Sequence, residues 1–550
     1  MIKIIFFFIL AIFYFFQTRE KFTDTDINTD TDIDTNTNII NKEYIIIGAG
    51  PAGLQAGYFL KKFMKDYIIL EKSNTVGNFF NKFPIHRKLI SINKVHTGNN
   101  NKDYNLRHDW NSLLSKDNSL LFKNYTKEFF PPADIYVKYL IDYFKKNKLN
   151  VKFNVNVKEI DKNSENHFII KTNEKTYCCK KLILATGLFK PHSLNIDGAI
   201  KYTDLNIEKK KFENKKILII GQGNSAFEVA DHLIDTAALI HVSGRDAIKF
   251  AWQTHYAGDL RAVNNNFLDT YQLKTQNGII VFNLEFYYIK KINNKYFIIE
   301  KYTDELFKQT PEDGYDFVID CTGFTFDDSI FNKKIRPKTN GKVPIIKPNF
   351  ESENVSNLFM AGTLMQYISW KKSSGAFVHG FRYLVRSLIR METDNLKKNI
   401  INSKDILVDK ILYRINNSSG LYQMFGCLVD IVIISEKNFI YIKEIPKKLV
   451  ESDYVNKYDI LMIELNYGNY GGHIRYLKNL EDSSYVFGKD RAKGVDPEFA
   501  HKSNFLHPIL WLYKNKKIVK KHHISEHVLS EYKLTKTHIL PLKNFIFNNL

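Results

Sequence analysis

From Glu43 onward, short unbroken runs of Ile, Val and Leu alternate with stretches whose apolar residues recur at helical spacing. Tyr44–Ile47, Tyr67–Leu70, Leu182–Leu184, Lys216–Ile220, Ala238–Val242 and Leu358–Met360 are such runs. Continuous rather than alternating apolar character predicts strands buried on both faces, as in a parallel sheet. Strands alternating with helical stretches predict an α/β chain. One pattern occurs twice, over 44–60 and 216–234: strand, glycine-rich turn, helix. Two distant copies exclude a solenoid and predict two nucleotide-binding domains.

The ends of the chain read differently. Lys3 precedes an apolar run from Ile4 to Phe16, which has signal-peptide length and is short for a membrane span of about 20 residues. No small-x-small cleavage pattern follows it, so an uncleaved anchor and membrane contact through this run stay open. Residues 22–38 alternate Asp, Thr and Asn and predict a linker with too little apolar surface to fold. From about Lys398 the chain mixes apolar runs with lysine-rich stretches, has no glycine-rich turn, and reads as a C-terminal accessory region. The expected divisions are 1–20 signal peptide or short anchor, 21–42 linker, and 43–202 first part of one dinucleotide-binding domain. A second such domain follows over 203–340, the remainder of the first over 341–397, and the accessory region over 398–550.

The turn Gly48-Ala-Gly50-Pro-Ala-Gly53 carries the chemistry of the first copy. Gly48 permits a tight turn, Gly50 lets backbone approach a pyrophosphate, and Gly53 allows close helix–strand packing. The helix that follows turns N–H groups and a positive dipole end toward phosphates. Glu71, about 20 residues on at the tip of the next strand, is placed to accept hydrogen bonds from ribose hydroxyls. In the second copy, Gly221-Gln-Gly223-Asn224-Ser225-Ala226 has alanine at the third position, which the fingerprint tolerates. Its next strand ends in Ser243-Gly-Arg245 without an acid, which points to a 2′-phosphate and NADPH. Asp246 beside it keeps NADH open. Thr186-Gly187, Thr322-Gly323 and Gly362-Thr363 are small-residue turns after further strands. Ser373-Ser-Gly375-Ala376-Phe377 opens a helical stretch whose first amides are placed to face a cofactor.

Composition changes the picture little. The apolar share is 44% and the charged share 25%, ordinary for a globular chain. The net charge of +20 comes from lysine spread throughout, with no arginine-rich arm, zinc-finger spacing or RNA-binding signature, so no nucleic-acid partner and no metal site is expected. The four cysteines, Cys178, Cys179, Cys321 and Cys427, contain no C-x-x-C pair, which argues against a thioredoxin-like dithiol. Asn-x-Ser/Thr acceptors at Asn124, Asn354, Asn416 and Asn417 are compatible with a secreted glycoprotein.

The order G-x-G-x-x-G, Glu71, A-T-G, G-x-G-N-S-A, C-T-G, A-G-T resembles the two-dinucleotide-binding-domain flavoproteins, and the second turn is similar to that of flavin-containing monooxygenases. Segments His86–Lys94, Asn105–Leu114, Thr254–Ala262, Leu268–Lys274, His379–Tyr383, Gly420–Phe425 and Ser503–Pro508 look like the endoplasmic-reticulum flavoproteins associated with degradation. The resemblance spans residues 44–545. It implies an α/β fold of two Rossmann-like domains, the FAD domain split by an NAD(P) domain insertion, with FAD and NADP (or NAD) as cofactors. It also implies a place in the endoplasmic-reticulum lumen, in disposal of misfolded glycoproteins with quality-control lectins and membrane dislocation machinery. That family would end in a retention tetrapeptide of the Lys-Asp-Glu-Leu kind. This sequence ends Phe547-Asn-Asn-Leu550, so the expected address is the lumen or the secretory pathway.

On this reading NAD(P)H reduces the flavin and the acceptor sets the reaction, with oxygen and N- or S-oxygenation among the options. Asn93 lies where similar monooxygenases carry an asparagine near the flavin. Arg107 and Asp109 complete the expected catalytic set, and Arg87 and Lys88 are expected beside the cofactor. A salt-bridged structural loop is the competing reading of Arg87, Lys88, Asn105, Arg107, His108 and Asp109. A flavin-stabilised scaffold in protein quality control, with little turnover, is the competing function.

Overall fold

The computed structural model describes residues 39–205, 208–273, 278–468, 495–503 and 505–550. The N-terminal apolar run and the whole Asp/Thr segment lie outside them. Among the described residues no helix is long and apolar enough to cross a membrane.

The first sheet runs in the order Val151–Lys152, Tyr67–Leu70, Ile40–Ile47, Thr176–Leu184, Phe168–Thr172, Val157–Lys162. Ile40–Ile47 pairs in parallel with Tyr67–Leu70 on one side and Thr176–Leu184 on the other. The long strand Thr176–Leu184 shares its far side between two partners. Phe168–Thr172 pairs antiparallel with its first half, and Leu358–Met360 parallel with its second. That arrangement returns the chain to the first sheet after the second is complete, so Gly362 emerges beside Gly187. Helix Pro51–Lys62 and helix Val378–Glu392 pack against each other over this sheet.

The second sheet is wholly parallel, in the order Ile279–Val281, Leu239–Gly244, Lys216–Ile220, Phe317–Asp320, Ile200–Lys201. The chain passes between the two sheets at Lys190–Pro191 and Phe324–Thr325, which pair antiparallel. Ile200–Lys201 belongs to the second sheet, ahead of the division expected at 202. A two-residue strand is too short to leave a sequence pattern.

The C-terminal region is a six-stranded antiparallel sheet: Asn399–Ile401, Phe439–Pro446, Leu428–Ile434, Ile460–Asn466, His507–Lys514, Lys517–His523. Its two faces are both covered. Val432, Leu461 and Leu510 pack with Leu407, Ile411, Leu542 and Ile546 of helices Lys404–Asn417 and Leu540–Asn549. Ile431 and Met462 face the other way, onto Val450 and Val455, as the two-residue period of a strand requires.

Buried charge locks this region to the first domain. Arg414 Nε donates to Asp430 at 2.6 Å and Arg414 Nη2 to Glu444 at 3.2 Å, while Arg386 of helix Val378–Glu392 pairs with the same Glu444. Burial raises the Glu444 carboxyl, but Arg386, Arg414 and Arg390 outweigh it and hold the group down at about 2. Arg382 donates to the carbonyls of Ser112 and Leu106, both at 2.6 Å. Removing one partner from such a buried network costs about 3–5 kcal/mol, because a charge is left without compensation.

Candidate dinucleotide-binding sites

At the first glycine turn the three glycines have separate jobs. Gly48 has φ +102°, and a Cβ there would stand 2.7 Å from the Ala185 carbonyl oxygen. A Cβ on Gly53 would stand 1.9 Å from the Gly48 oxygen. Both positions are closed by backbone. Gly50 has ordinary extended torsions, φ −73° and ψ −177°, and a Cβ there would meet nothing within 4 Å. The missing side chain therefore keeps space open in front of helix Pro51–Lys62, whose N-terminus carries no side-chain cap. Glu71 is buried and accepts from Ala49 N at 2.7 Å and Ser73 N at 2.9 Å. These bonds fix the carboxylate at the strand tip and leave lone pairs for further donors. Thr186 is exposed at the mouth. Gly187 has φ +69° with nothing within 4 Å of a Cβ. Gly362, φ +74°, brings its turn so close to the helix that a Cβ would be 2.6 Å from that of Ala52. Thr363 Oγ1 donates to the Ala376 carbonyl at 3.2 Å, tying the Gly375-Ala376 turn to the same place.

The second turn repeats this geometry. Gly221 has φ +125°, and its Cβ would be 2.5 Å from the Cys321 carbonyl oxygen. Gly223 is extended and open, with nothing within 4 Å, at the uncapped start of helix Asn224–Leu233. Gly323, φ +97°, is likewise open. Ala226 is fully buried, Ser225 half-buried at the first turn. The Asn224 amide donates to the carbonyls of Gly258 and Asp259 at 3.3 and 2.9 Å. It accepts from Arg261 N and Asn264 Nδ2, both at 3.0 Å. Its side chain therefore anchors the 258–264 loop. At the strand tip, Gln222 lies over Gly244, where a Cβ would be 2.4 Å from its Cδ, and Gln222 Nε2 is buried without a protein partner. Arg245 and Asp246 are exposed just beyond.

Asn93 and Asp109 of the expected catalytic set line one hollow together. Asn93 and Asp109 form an isolated antiparallel bridge. Asn93 Nδ2 donates to the carbonyls of Thr126 and Glu128 at 2.9 and 3.2 Å, and its Oδ1 is buried without a partner. Asp109 accepts from the amides of Asn111 and Ser112 at 3.0 and 2.9 Å and from the Ser112 hydroxyl, closing a turn. Arg107 donates to the carbonyls of Ser418 and Ile415 at 3.2 and 2.9 Å and lies over Tyr104 and Tyr422. These partners tie Asp109 into its own turn and Arg107 to the C-terminal region. Arg87 reaches Phe80 O of the short helix Phe79–Lys82 and Asp134 of helix Ala133–Lys146, each at 2.6 Å, while Lys88 is exposed beside Phe130.

A stack that no spacing announces joins the parts. The Arg261 guanidinium lies 5.1 Å over the Trp110 ring, Trp110 stacks on His379 at 4.0 Å, and His379 faces Phe377 at 5.8 Å. His379 is 2% exposed and neither ring nitrogen has a partner. Burial first, then Arg382 and Arg261, pushes its pKa far below the usual imidazole range, so it is neutral. All four cysteines are free. Burial raises the thiol pKa of each, to about 12 at Cys427, so none is a ready thiolate.

The open faces over Gly50 and Gly223, the uncapped helix starts and the Glu71 carboxylate fit two dinucleotides. The family described as pyridine nucleotide-disulphide oxidoreductase matches residues 45–362. The chain is similar to the FAD-dependent oxidoreductase domain-containing protein 2 of Mus musculus, 35% identical, covering 93% of this chain and 84% of that one. It is similar to the Danio rerio protein of the same name at 34%, covering 92% and 83%. A solved flavin-containing monooxygenase from Stenotrophomonas maltophilia is 17% identical, with TM-score 0.48, over 65% of this chain and 99% of that one.

Proposed function

The chain belongs to the pyridine nucleotide-disulphide oxidoreductase family, alongside the FAD-dependent oxidoreductase domain-containing 2 proteins, and from that premise we propose that NAD(P)H bound at the second turn reduces FAD held at the first. It is a two-domain FAD-dependent oxidoreductase. The observation that carries the proposal is the repeated device: a glycine forced against a neighbouring strand's carbonyl, then a glycine left open before an uncapped helix. A second turn without a ligand has no need of the open glycine, since Gly223 has torsions any residue adopts. When bound, a flavin supplies hydride acceptance. The chain's own part is to hold both pyrophosphates on helix starts, fix one ribose by Glu71 and close the space between domains through the Arg261–Trp110–His379 stack.

The acceptor in this reading is oxygen or a small molecule. A dithiol relay has no support, because the cysteines are buried or half-buried, protonated and without a C-x-x-C pair. We further propose that the protein works in the endoplasmic-reticulum lumen in quality control of glycoproteins, on the strength of the resemblance and the apolar run Ile4–Phe16. Anaerobic stopped-flow absorbance of purified protein mixed with NADPH, and separately with NADH, tests the reductase reading. Bleaching of the oxidised-flavin band at a rate that saturates with nucleotide is expected. Bound FAD that neither nucleotide reduces would replace it with a flavin-stabilised scaffold.

A further inference from the structure

A cavity of about 460 Å³ opens where three parts of the chain meet, and no residue of either glycine turn lines it. Thr254 and His255 come from the second domain, Ile368, Ser369 and Lys371 to Ser373 from the segment after the Gly362 turn, and Phe425 to Cys427, Pro446 to Lys448 and Asn466 to Gly468 from the ends of strands in the C-terminal region. Its volume is that of a small-molecule site.

The lining is strongly cationic. Lys371, Lys372, Lys447 and Lys448 face it, against the single carboxylate of Glu451. Lys447 is neutralised by the buried Glu464, at 2.9 and 3.0 Å. Lys371, Lys372 and Lys448 have no ion-pair partner among the described residues. All three are exposed at its rim, where their like charge gives the opening a positive field that favours an anion. A second observation points the same way. Ser369 and Ser373, 2% and 3% exposed, belong to the cavity wall, and their hydroxyl oxygens are closed off from solvent with no hydrogen-bond partner in the protein. Buried hydroxyls without partners are costly, and a side-chain rotation that turns them into the hollow gives both an oxyanion to donate to. The Cys427 thiol at the wall is protonated, so the hollow binds and does not attack.

We propose that this cavity binds a small organic anion, bearing a phosphate or paired carboxylates, through Lys371, Lys372, Lys448, Ser369 and Ser373. The site unites the C-terminal sheet with the segment between Thr363 and Gly375, which gives the accessory region a ligand-binding role. The inference stands on the cavity alone and does not depend on hydride transfer.

The test is calorimetric titration of the FAD-loaded full chain with inorganic pyrophosphate and with citrate, in excess NADP⁺ to occupy the second turn. One salt-sensitive site is expected for one or both probes, and the tighter of the two names the source as phosphate or carboxylate. Lys371→Gln/Lys372→Gln/Lys448→Gln is expected to weaken it at least about 10-fold, and Ser369→Ala/Ser373→Ala about 3-fold, with flavin content unchanged. No binding of either probe, or binding of wild-type strength in the serine pair or the lysine triple variant, overturns the proposal. Flavin reduction recorded on the same samples separates that failure from failure of the reductase reading.

Discussion

The two glycine turns share a geometry and diverge in what surrounds it. In each, the first glycine is forced into positive φ against a carbonyl, of Ala185 or Cys321, and the second is open. The third position differs: Gly53 has no room for a methyl, while Ala226 carries one within the fold. The strand tips differ too. Glu71 is held by two amides, whereas Gln222 covers Gly244 and leaves Arg245 exposed. The contrast separates glycines the fold needs from glycines a ligand needs. Only the open ones are replaceable without strain, so only they report binding cleanly.

Gly50→Glu sharpens the contrast most. The fold should tolerate it, yet a carboxylate in the pyrophosphate space should weaken flavin by about 100-fold or more, roughly 3 kcal/mol. Flavin absorbance per protein against circular dichroism reads this, and retained flavin would mean that the space over Gly50 is not the pyrophosphate site. Gly53→Ala should instead destabilise the chain by about 2–3 kcal/mol through backbone overlap, whereas Ala226→Gly should cost about 1 kcal/mol or less. Equal denaturation midpoints for the two would erase the difference between the turns. Glu71→Gln should loosen flavin by about 10-fold, on the order of 1.5 kcal/mol, as charge-assisted bonds become neutral ones. Equilibrium dialysis that finds no change would remove Glu71 from the site. The smallest effect belongs to Arg245→Ala. Half-saturation by NADPH should rise about 5-fold with NADH unaffected, on the order of 1 kcal/mol for a solvated contact. Equal changes for both nucleotides would break the link between Arg245 and a 2′-phosphate.

The turns were legible because each packs strand, glycines and helix into fewer than 20 consecutive residues. The C-terminal sheet was not. Leu428–Ile434 and Ile460–Asn466 are nearly continuous apolar runs, the pattern of parallel strands, yet they pair antiparallel. Both faces of that sheet are covered, and burial on two sides erases the alternation that marks most antiparallel strands. The polar cluster around Asn93 and Asp109 was visible as a cluster, but Arg107 finds its partners at Ile415 and Ser418, some 300 residues on. No local pattern encodes such a contact. The Trp110–His379 stack and the lysine-lined cavity are invisible for the same reason, since each is assembled from distant segments.

The central claim is that the two turns hold different nucleotides, flavin at the first and its reductant at the second. Gly223→Glu tests it in one sample, with flavin content and anaerobic reduction by NADPH and NADH measured together. The account predicts a wild-type complement of FAD that neither nucleotide reduces at a measurable rate. Reduction at the wild-type rate would contradict it, and so would loss of the flavin from a folded chain.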